Sequence, residues 1–159
     1  MTIRQILTLA IYVAVEAFCT RFFAVIVMLL VMGLGLTLFL GQVAIIETLA
    51  IQSSWLAAFL RLSAMYVVSL FVITSIVREF HDHSIYLWLS FPMRRSTYFF
   101  GKLSGFALVA CLTAVLYGVA LFWYVPGWQV GLWTLSLWCE LLVVISLSLL
   151  CVFTFHQTV

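Results

Sequence analysis

Charged side chains are scarce in this sequence of 159 residues, which has seven Lys and Arg and five Asp and Glu, or 8% of the chain. A water-soluble domain carries about a quarter charged residues, because its surface must be solvated. Hydrophobic residues instead make up 67% of the chain. This apolar surface must therefore face lipid or other protein. The net charge of +2 is also too small to suggest a nucleic-acid partner.

Patterns for metal binding and catalysis are also missing. None of the four cysteines belongs to a CxxC pair, and neither a Ser-His-Asp nor a Cys-His arrangement is visible. His81, Asp82 and His83 are adjacent, so they cannot all converge on one ion from a regular helix, and no fourth ligand is apparent. We therefore predict no metal site and no catalytic residues, and a membrane-embedded enzyme is the least favoured functional class.

Four apolar segments are each long enough to cross the hydrocarbon core, which needs about 20 helical residues. The predicted fold is an all-α polytopic membrane helix bundle in a single domain, 1–159. Gly33 and Gly35 in the first span, and the pair Gly101 and Gly105 near the third, would allow another helix to approach closely. The four predicted spans are residues 22–40, 55–77, 103–125 and 132–155.

Residues 2–20 have the pattern of an amphipathic helix. We expect this helix to lie at the membrane interface, with its polar stripe in water and its apolar face among acyl chains. The alternative is the beginning of a long first span. The polar stripe consists of Arg4, Thr8, Tyr12, Glu16 and Thr20, and the apolar face of Ile3, Leu7, Ala10, Ala14 and Phe18.

Orientation follows from the Lys and Arg residues, which remain preferentially on the cytoplasmic side of a membrane. In this topology only Arg61, inside the second span, lies toward the other side. Both chain ends and the segment 78–102 are therefore predicted to be cytoplasmic. The basic residues that share this side are Arg4, Arg21, Arg78, Arg94, Arg95 and Lys102.

The cytoplasmic segment 78–102 has charges at each end and an amphipathic stretch between them. Ile85, Trp88 and Leu89 would share one face of a short helix, because they are spaced at i, i+3 and i+4. Pro92 would end that helix. An apolar face on the cytoplasmic side requires cover, either from the lipid interface or from a protein partner.

This segment resembles the region between the second and third spans of ATP-binding-cassette export permeases of the type-two class, which includes polysaccharide, drug and haem exporters. The family pattern is Leu-Ser-x-Pro, then Arg at three, an aromatic or aliphatic residue at six, and Gly-Lys at nine and ten residues after the proline. The chain departs from it at His83, where the family has Gly, and at Tyr86, where it has Glu. The matching residues are Arg78, Glu79, Ser84, Ile85, Leu89, Ser90, Pro92, Arg95, Tyr98, Gly101 and Lys102.

The resemblance implies a permease subunit, not an enzyme, in a bacterial inner membrane. It implies a permease homodimer or heterodimer, membrane lipid, and a separate ATPase subunit that holds ATP and Mg²⁺, since Gly101-Lys102 is not a P-loop and this chain binds no cofactor itself. Two further spans would complete the family's six. A coupling helix would contact the ATPase, and Arg94, Arg95 and Lys102 would pair with acidic ATPase residues or anionic lipid. The implied coupling residues are Glu79, Ser84, Ile85, Trp88, Leu89, Pro92 and Arg95.

Arg61 and Glu140 are ionisable residues inside predicted spans, and such residues are candidates for function. Their similar depth in the second and fourth spans predicts an ion pair that holds or gates an outward exit. The alternative is that Arg61 extends toward the outer surface while Glu140 meets water or Ser136. The substrate cannot be read from these two residues. The rival to the exporter is a stand-alone four-helix scaffold or accessory protein without transport activity.

Overall fold

The structure is a computed structural model that describes residues 2–43, 48–81, 95–125 and 127–156. Within these ranges the chain forms helices and no strand, and four of the helices are long and apolar enough to cross a membrane. The predicted all-α polytopic helix bundle is confirmed. The helices are α1 (Thr2–Cys19), α2 (Phe22–Val43), α3 (Thr48–His81), α4 (Arg95–Leu121) and α5 (Gly127–His156).

The helices extend beyond most of the predicted spans. The 34 residues of α3 correspond to roughly 50 Å of helix, whereas the hydrocarbon core is about 30 Å thick. Hydropathy marks the part of a helix suited to lipid, but backbone hydrogen bonds continue into turns that carry charge. The residues 78–81 and 95–102, predicted to belong to the cytoplasmic segment, therefore lie within α3 and α4.

The end of α4 comes earlier than the predicted end of the third span at residue 125. The helix ends at Leu121 and a turn follows, in which the Tyr124 and Val125 amides both donate to the Leu121 carbonyl. Pro126 disfavours helical geometry at Val125, the residue before it, which is consistent with a helix that does not reach residue 125. Trp123, in this turn, is 87% exposed.

The central helix is α3, which packs against α2, α4 and α5. It runs antiparallel to α2, since Phe22 contacts Phe71 near one end of the pair while Gln52 donates to the Thr37 carbonyl near the other. Gly33 permits close packing between them, because an added Cβ would lie 2.9 Å from the Phe59 ring, whereas Gly35 has open space. The predicted close approach thus occurs at only one of the two glycines.

The first helix, α1, packs mainly along α4. At the closest point, a Cβ added to Gly105 would lie 2.8 Å from Val13 Cβ and 3.2 Å from Ala10 Cα. Val13 and Ala17 are fully buried, so Gly105 of the Gly101–Gly105 motif does lie at a close helix contact. The opposite side of α1 remains exposed and apolar through Leu7, Ile11, Val15 and Phe18.

Two residues of the predicted polar stripe of α1 have partners on neighbouring helices. Glu16 is half-buried and accepts a hydrogen bond from Ser75 of α3, whereas Tyr12 lies beside Lys102 of α4 but is itself 52% exposed. The small side chains at Ala10 and Ala17 allow α1 to sit close to the bundle, which brings its polar positions to partners on neighbouring helices. Periodicity alone does not separate a water-facing polar stripe from one that faces protein.

Candidate functional site

Polar side chains gather at two places in the described helices. One place, the end cluster, comprises Tyr12, Glu16, Ser75, Glu79 and Lys102. It lies where α3 ends and α4 begins. The other, the mid-span cluster, comprises Arg61, Trp133, Ser136 and Glu140, on α3 and α5.

A buried ion pair forms the core of the end cluster. Lys102 is only 1% exposed, and its Nζ donates to a carboxylate oxygen of Glu79, which is also buried. Removing two charges from water has a large free-energy cost, and a pair this buried is stable only while each charge keeps its partner. The contact therefore holds the end of α3 to the beginning of α4.

Two aromatic rings complete the environment of the Lys102 ammonium. Its Nζ lies 5.7 Å from the ring centroid of Tyr12 on α1 and 5.7 Å from that of Phe106 on α4. A cation near a ring at this distance is attracted by the negative charge density of the ring face. One ammonium group thus contacts side chains from three helices.

A second polar contact connects α1 to α3. The hydroxyl of Ser75, which is buried, lies 3.1 Å from each carboxylate oxygen of Glu16 and donates to them. Ser75 precedes Glu79 by four residues, as Tyr12 precedes Glu16. On each helix the two side chains are therefore one turn apart on the same face.

These contacts involve two residues of the exporter-like pattern. Lys102 is buried in the chain and paired with Glu79, so, contrary to the expectation, it does not face outward toward acidic ATPase residues or anionic lipid. Glu79 contacts Lys102, and its expected contact with the ATPase stays a prediction. The two charges neutralise each other inside the bundle.

The other predicted coupling residues do not take part in the contacts of the end cluster. Arg95 is the first residue of α4. The remaining residues lie outside the part of the chain that the structure describes, so the proposed apolar helix face stays a prediction. They are Ser84, Ile85, Trp88, Leu89 and Pro92.

The structure brings Arg61 and Glu140 together in the mid-span cluster. Arg61 Nε lies 3.2 Å from Glu140 Oε2, and Arg61 Nη2 donates to Ser136 Oγ at 3.0 Å. The Nε–Oε2 contact is close but lacks hydrogen-bond geometry. The guanidinium carbon lies 5.8 Å from the Trp133 ring centroid. This is the geometry that the pairing hypothesis requires, with Ser136 bonded to Arg61 and not to Glu140; a gating role stays a prediction.

The mid-span pair is only partly covered. The side chains of Arg61 and Glu140 are 33% and 34% exposed in the isolated chain. Intramembrane charges usually face protein or a water-filled cavity, because lipid solvates them poorly. The arrangement can therefore meet a polar ligand, water or another membrane chain from its open side.

Sequence reasoning missed a polar residue of α4, Tyr117. Its side chain is fully buried and its hydroxyl has no hydrogen-bond partner among the described residues. Ser63 of α3 is its polar neighbour, but the Ser63 hydroxyl donates to the Leu60 carbonyl at 3.0 Å. A lone Tyr in an apolar span gives no sequence signal of this kind, since it resembles an ordinary core aromatic.

Comparison with known proteins adds no identification. No protein-family model matches the chain, and no curated protein matches its sequence. Within the described ranges, no group of three or more His, Cys, Asp or Glu residues is placed to hold a metal ion. The features of the chain that bear on its function are therefore the pattern of the segment 78–102 and the two polar clusters.

Proposed function

We propose that this chain is the membrane permease subunit of an ATP-driven exporter of the ATP-binding-cassette type. One observation carries the proposal. Glu79 and Lys102, which flank the segment bearing the exporter-like pattern, form a buried ion pair. Because this pair holds the end of α3 to the beginning of α4, a displacement applied to either helix end reaches the other.

The mechanism assigns a separate role to each part. A separate ATPase subunit binds ATP and Mg²⁺. The same subunit contacts the apolar face formed by Ile85, Trp88 and Leu89. Its movement displaces the short helix, and the displacement passes to α3 and α4. Two permease chains, alike or different, then open a path between them for the substrate. The chain would lie in the inner membrane with both ends cytoplasmic, consistent with its basic residues.

The mid-span cluster supports a place for gating in this mechanism. Arg61 and Glu140 neutralise each other while the pair is closed, and the pair can be opened by water or a polar substrate from its exposed side. Helix movement that separated α3 from α5 would break the pair. The contact thus suits an exit that opens and closes during transport.

A second candidate function is an accessory or scaffold subunit without transport activity. The exposed side of the Arg61–Glu140 pair favours it, since charge at mid-span is better covered by another membrane protein than by lipid. Such a subunit would bind a membrane partner without an ATPase. The two functions differ in whether an ATPase is bound and whether its activity responds to this chain.

The test is to purify the chain with its native partners from gently solubilised membranes and to identify any P-loop ATPase. In reconstituted vesicles, Trp88→Ala and Leu89→Ala should uncouple ATP hydrolysis from transport while the helix content stays unchanged. Trp123→Ala, at an exposed turn, is the matched control and should behave as wild type. Absence of an ATPase, or normal coupling in both segment variants, would favour the accessory function.

A further inference from the structure

We infer that Lys102 is a positioning residue that connects α1 to the ends of α3 and α4, so that α1 moves together with these two helix ends. This inference rests on the proposed function, because it gives α1 a part in the same movement. The sequence predicts only that α1 lies at the membrane interface, without a connection to other helices.

The contacts of the end cluster form a closed polar circuit through three helices. Lys102 joins Glu79 on α3 and faces Tyr12 on α1, while Glu16 on α1 accepts from Ser75 on α3. Tyr12 and Glu16 are one turn apart, as are Ser75 and Glu79. The circuit therefore holds α1 at two successive turns instead of at a single point.

Close packing at Gly105 adds a third constraint. Because Val13 and the Ala10 backbone lie where a side chain at position 105 would begin, α1 lies almost directly on the backbone of α4. A helix held only by lipid can rotate and slide along the bundle. Two polar contacts together with this packing restrict both motions.

Lys102 is the shared group in this arrangement. Its ammonium is bound to α3 by charge and attracted to α1 through a ring, while its own backbone belongs to α4. The alternative is that Lys102 stabilises only its ion pair with Glu79 and that its contact with Tyr12 does not hold α1. The two explanations predict different positions of α1 when the positive charge is moved from α4 to α3.

A variant in which the charges at positions 79 and 102 are exchanged distinguishes these two explanations. Glu79→Lys combined with Lys102→Glu retains an acid and a base between α3 and α4, but it removes the ammonium from its place beside Tyr12. A carboxylate there would be repelled by the negative face of the ring. A second variant, Tyr12→Leu, keeps the native ion pair and removes only the ring, so it stays informative even where the exchange disturbs folding.

The readout is the distance between α1 and α4 in lipid nanodiscs, measured by pulsed electron spin resonance. Labels are placed at Ile11→Cys and Leu108→Cys, both exposed sites, in a chain whose exposed native cysteines are replaced by alanine. We expect one narrow distance for the parent chain and a shifted or broadened distribution for both the exchange and Tyr12→Leu. Tyr66→Leu, at an exposed tyrosine of α3, is the control and should not change it.

A parent-like distance in either the exchange or Tyr12→Leu would overturn the inference, since Lys102 would then not hold α1 through the ring. The measurement uses this chain alone, so its outcome does not depend on finding an ATPase. Where an ATPase partner is present, Tyr12→Leu should also lower the ratio of transport to hydrolysis by roughly three- to fivefold. An unchanged ratio alongside an altered distance would also overturn the inference, because α1 would then have no part in the movement.

Discussion

The two ion pairs of the described helices each join one acid and one base across neighbouring helices, yet they differ in burial. The Lys102 and Glu79 side chains are 2% and 11% exposed, whereas those of Arg61 and Glu140 are 33% and 34% exposed. The first pair is enclosed by helix packing and aromatic rings. The second rests against Ser136 and Trp133 and is open on one side.

This difference separates a structural contact from one that can exchange partners. A buried charge cannot leave its partner unless the surrounding helices move apart, because no water replaces the lost contact. A charge that is one-third exposed at mid-span can exchange its partner for water in a cavity, a polar substrate or a group of another membrane chain. The chain thus holds together the end of α3 and the beginning of α4, whereas the mid-span pair can still change its partners.

The largest effect is expected from removing one partner of the buried pair. Lys102→Met should lower the free energy of unfolding by about 3–5 kcal/mol, since the buried Glu79 carboxylate loses the ammonium group that neutralises it. Denaturant unfolding in mixed micelles measures this loss. The double variant Lys102→Met with Glu79→Gln is the control and should recover most of it. No recovery would mean that the loss comes from packing and not from charge.

The next effect concerns the place where α1 meets α4. Gly105→Ala should destabilise the chain by about 1–3 kcal/mol, because the new methyl group overlaps Val13 and the Ala10 backbone. Gly35→Ala places the same methyl group in open space and should raise stability by up to about 1 kcal/mol through helix propensity. Thermal unfolding of both variants checks the difference. Equal changes in the two would argue against close packing of α1.

A smaller effect is expected at the open pair. Glu140→Gln should cost about 0.6–1.7 kcal/mol, the range of polar contacts between membrane helices, and it should alter transport if the pair gates an exit. Unfolding and vesicle transport assays measure the two effects separately. If Glu140→Gln changed neither stability nor transport, the pair would have no role in the mechanism. If it lowered the free energy of unfolding as much as Lys102→Met does, the two pairs would not differ in their contribution to stability.

The smallest effect concerns the connection between α1 and α3. Ser75→Ala should cost about 0.6 kcal/mol, since it removes one interhelical hydrogen bond to Glu16. The matched control is Ser69→Ala, because the Ser69 hydroxyl donates only to the Tyr66 carbonyl of its own helix. Hydrogen exchange at the α1 amides provides the sensitive readout. Equal protection of α1 in the two variants would show that this bond does not hold the helix.

Sequence reasoning predicted the helix bundle because hydropathy is summed over about 20 residues and tolerates local errors. It also placed Arg61 and Glu140 at one depth, since helical rise converts sequence position into distance. Both predictions use only hydropathy and residue spacing, which can be read from the sequence without knowing which helices pack together.

The end cluster was not predicted, because its geometry depends on which helix faces which. Lys102 and Glu79 look like loop charges until α3 and α4 bring them together inside the bundle. The partners of Tyr12 and Glu16 become apparent only once α1 packs against the bundle. The pair Gly101 and Gly105 did predict close packing, but the sequence does not show which helix is the partner.

The most direct test of this account is a double-mutant cycle on each pair, measured as unfolding free energies in the same nanodiscs. The cycle for Glu79→Gln and Lys102→Met is predicted to give a coupling energy of about 3 kcal/mol or more, and the cycle for Arg61→Met and Glu140→Gln no more than about 1.7 kcal/mol. Equal coupling energies, or a larger value for the open pair, would contradict the account.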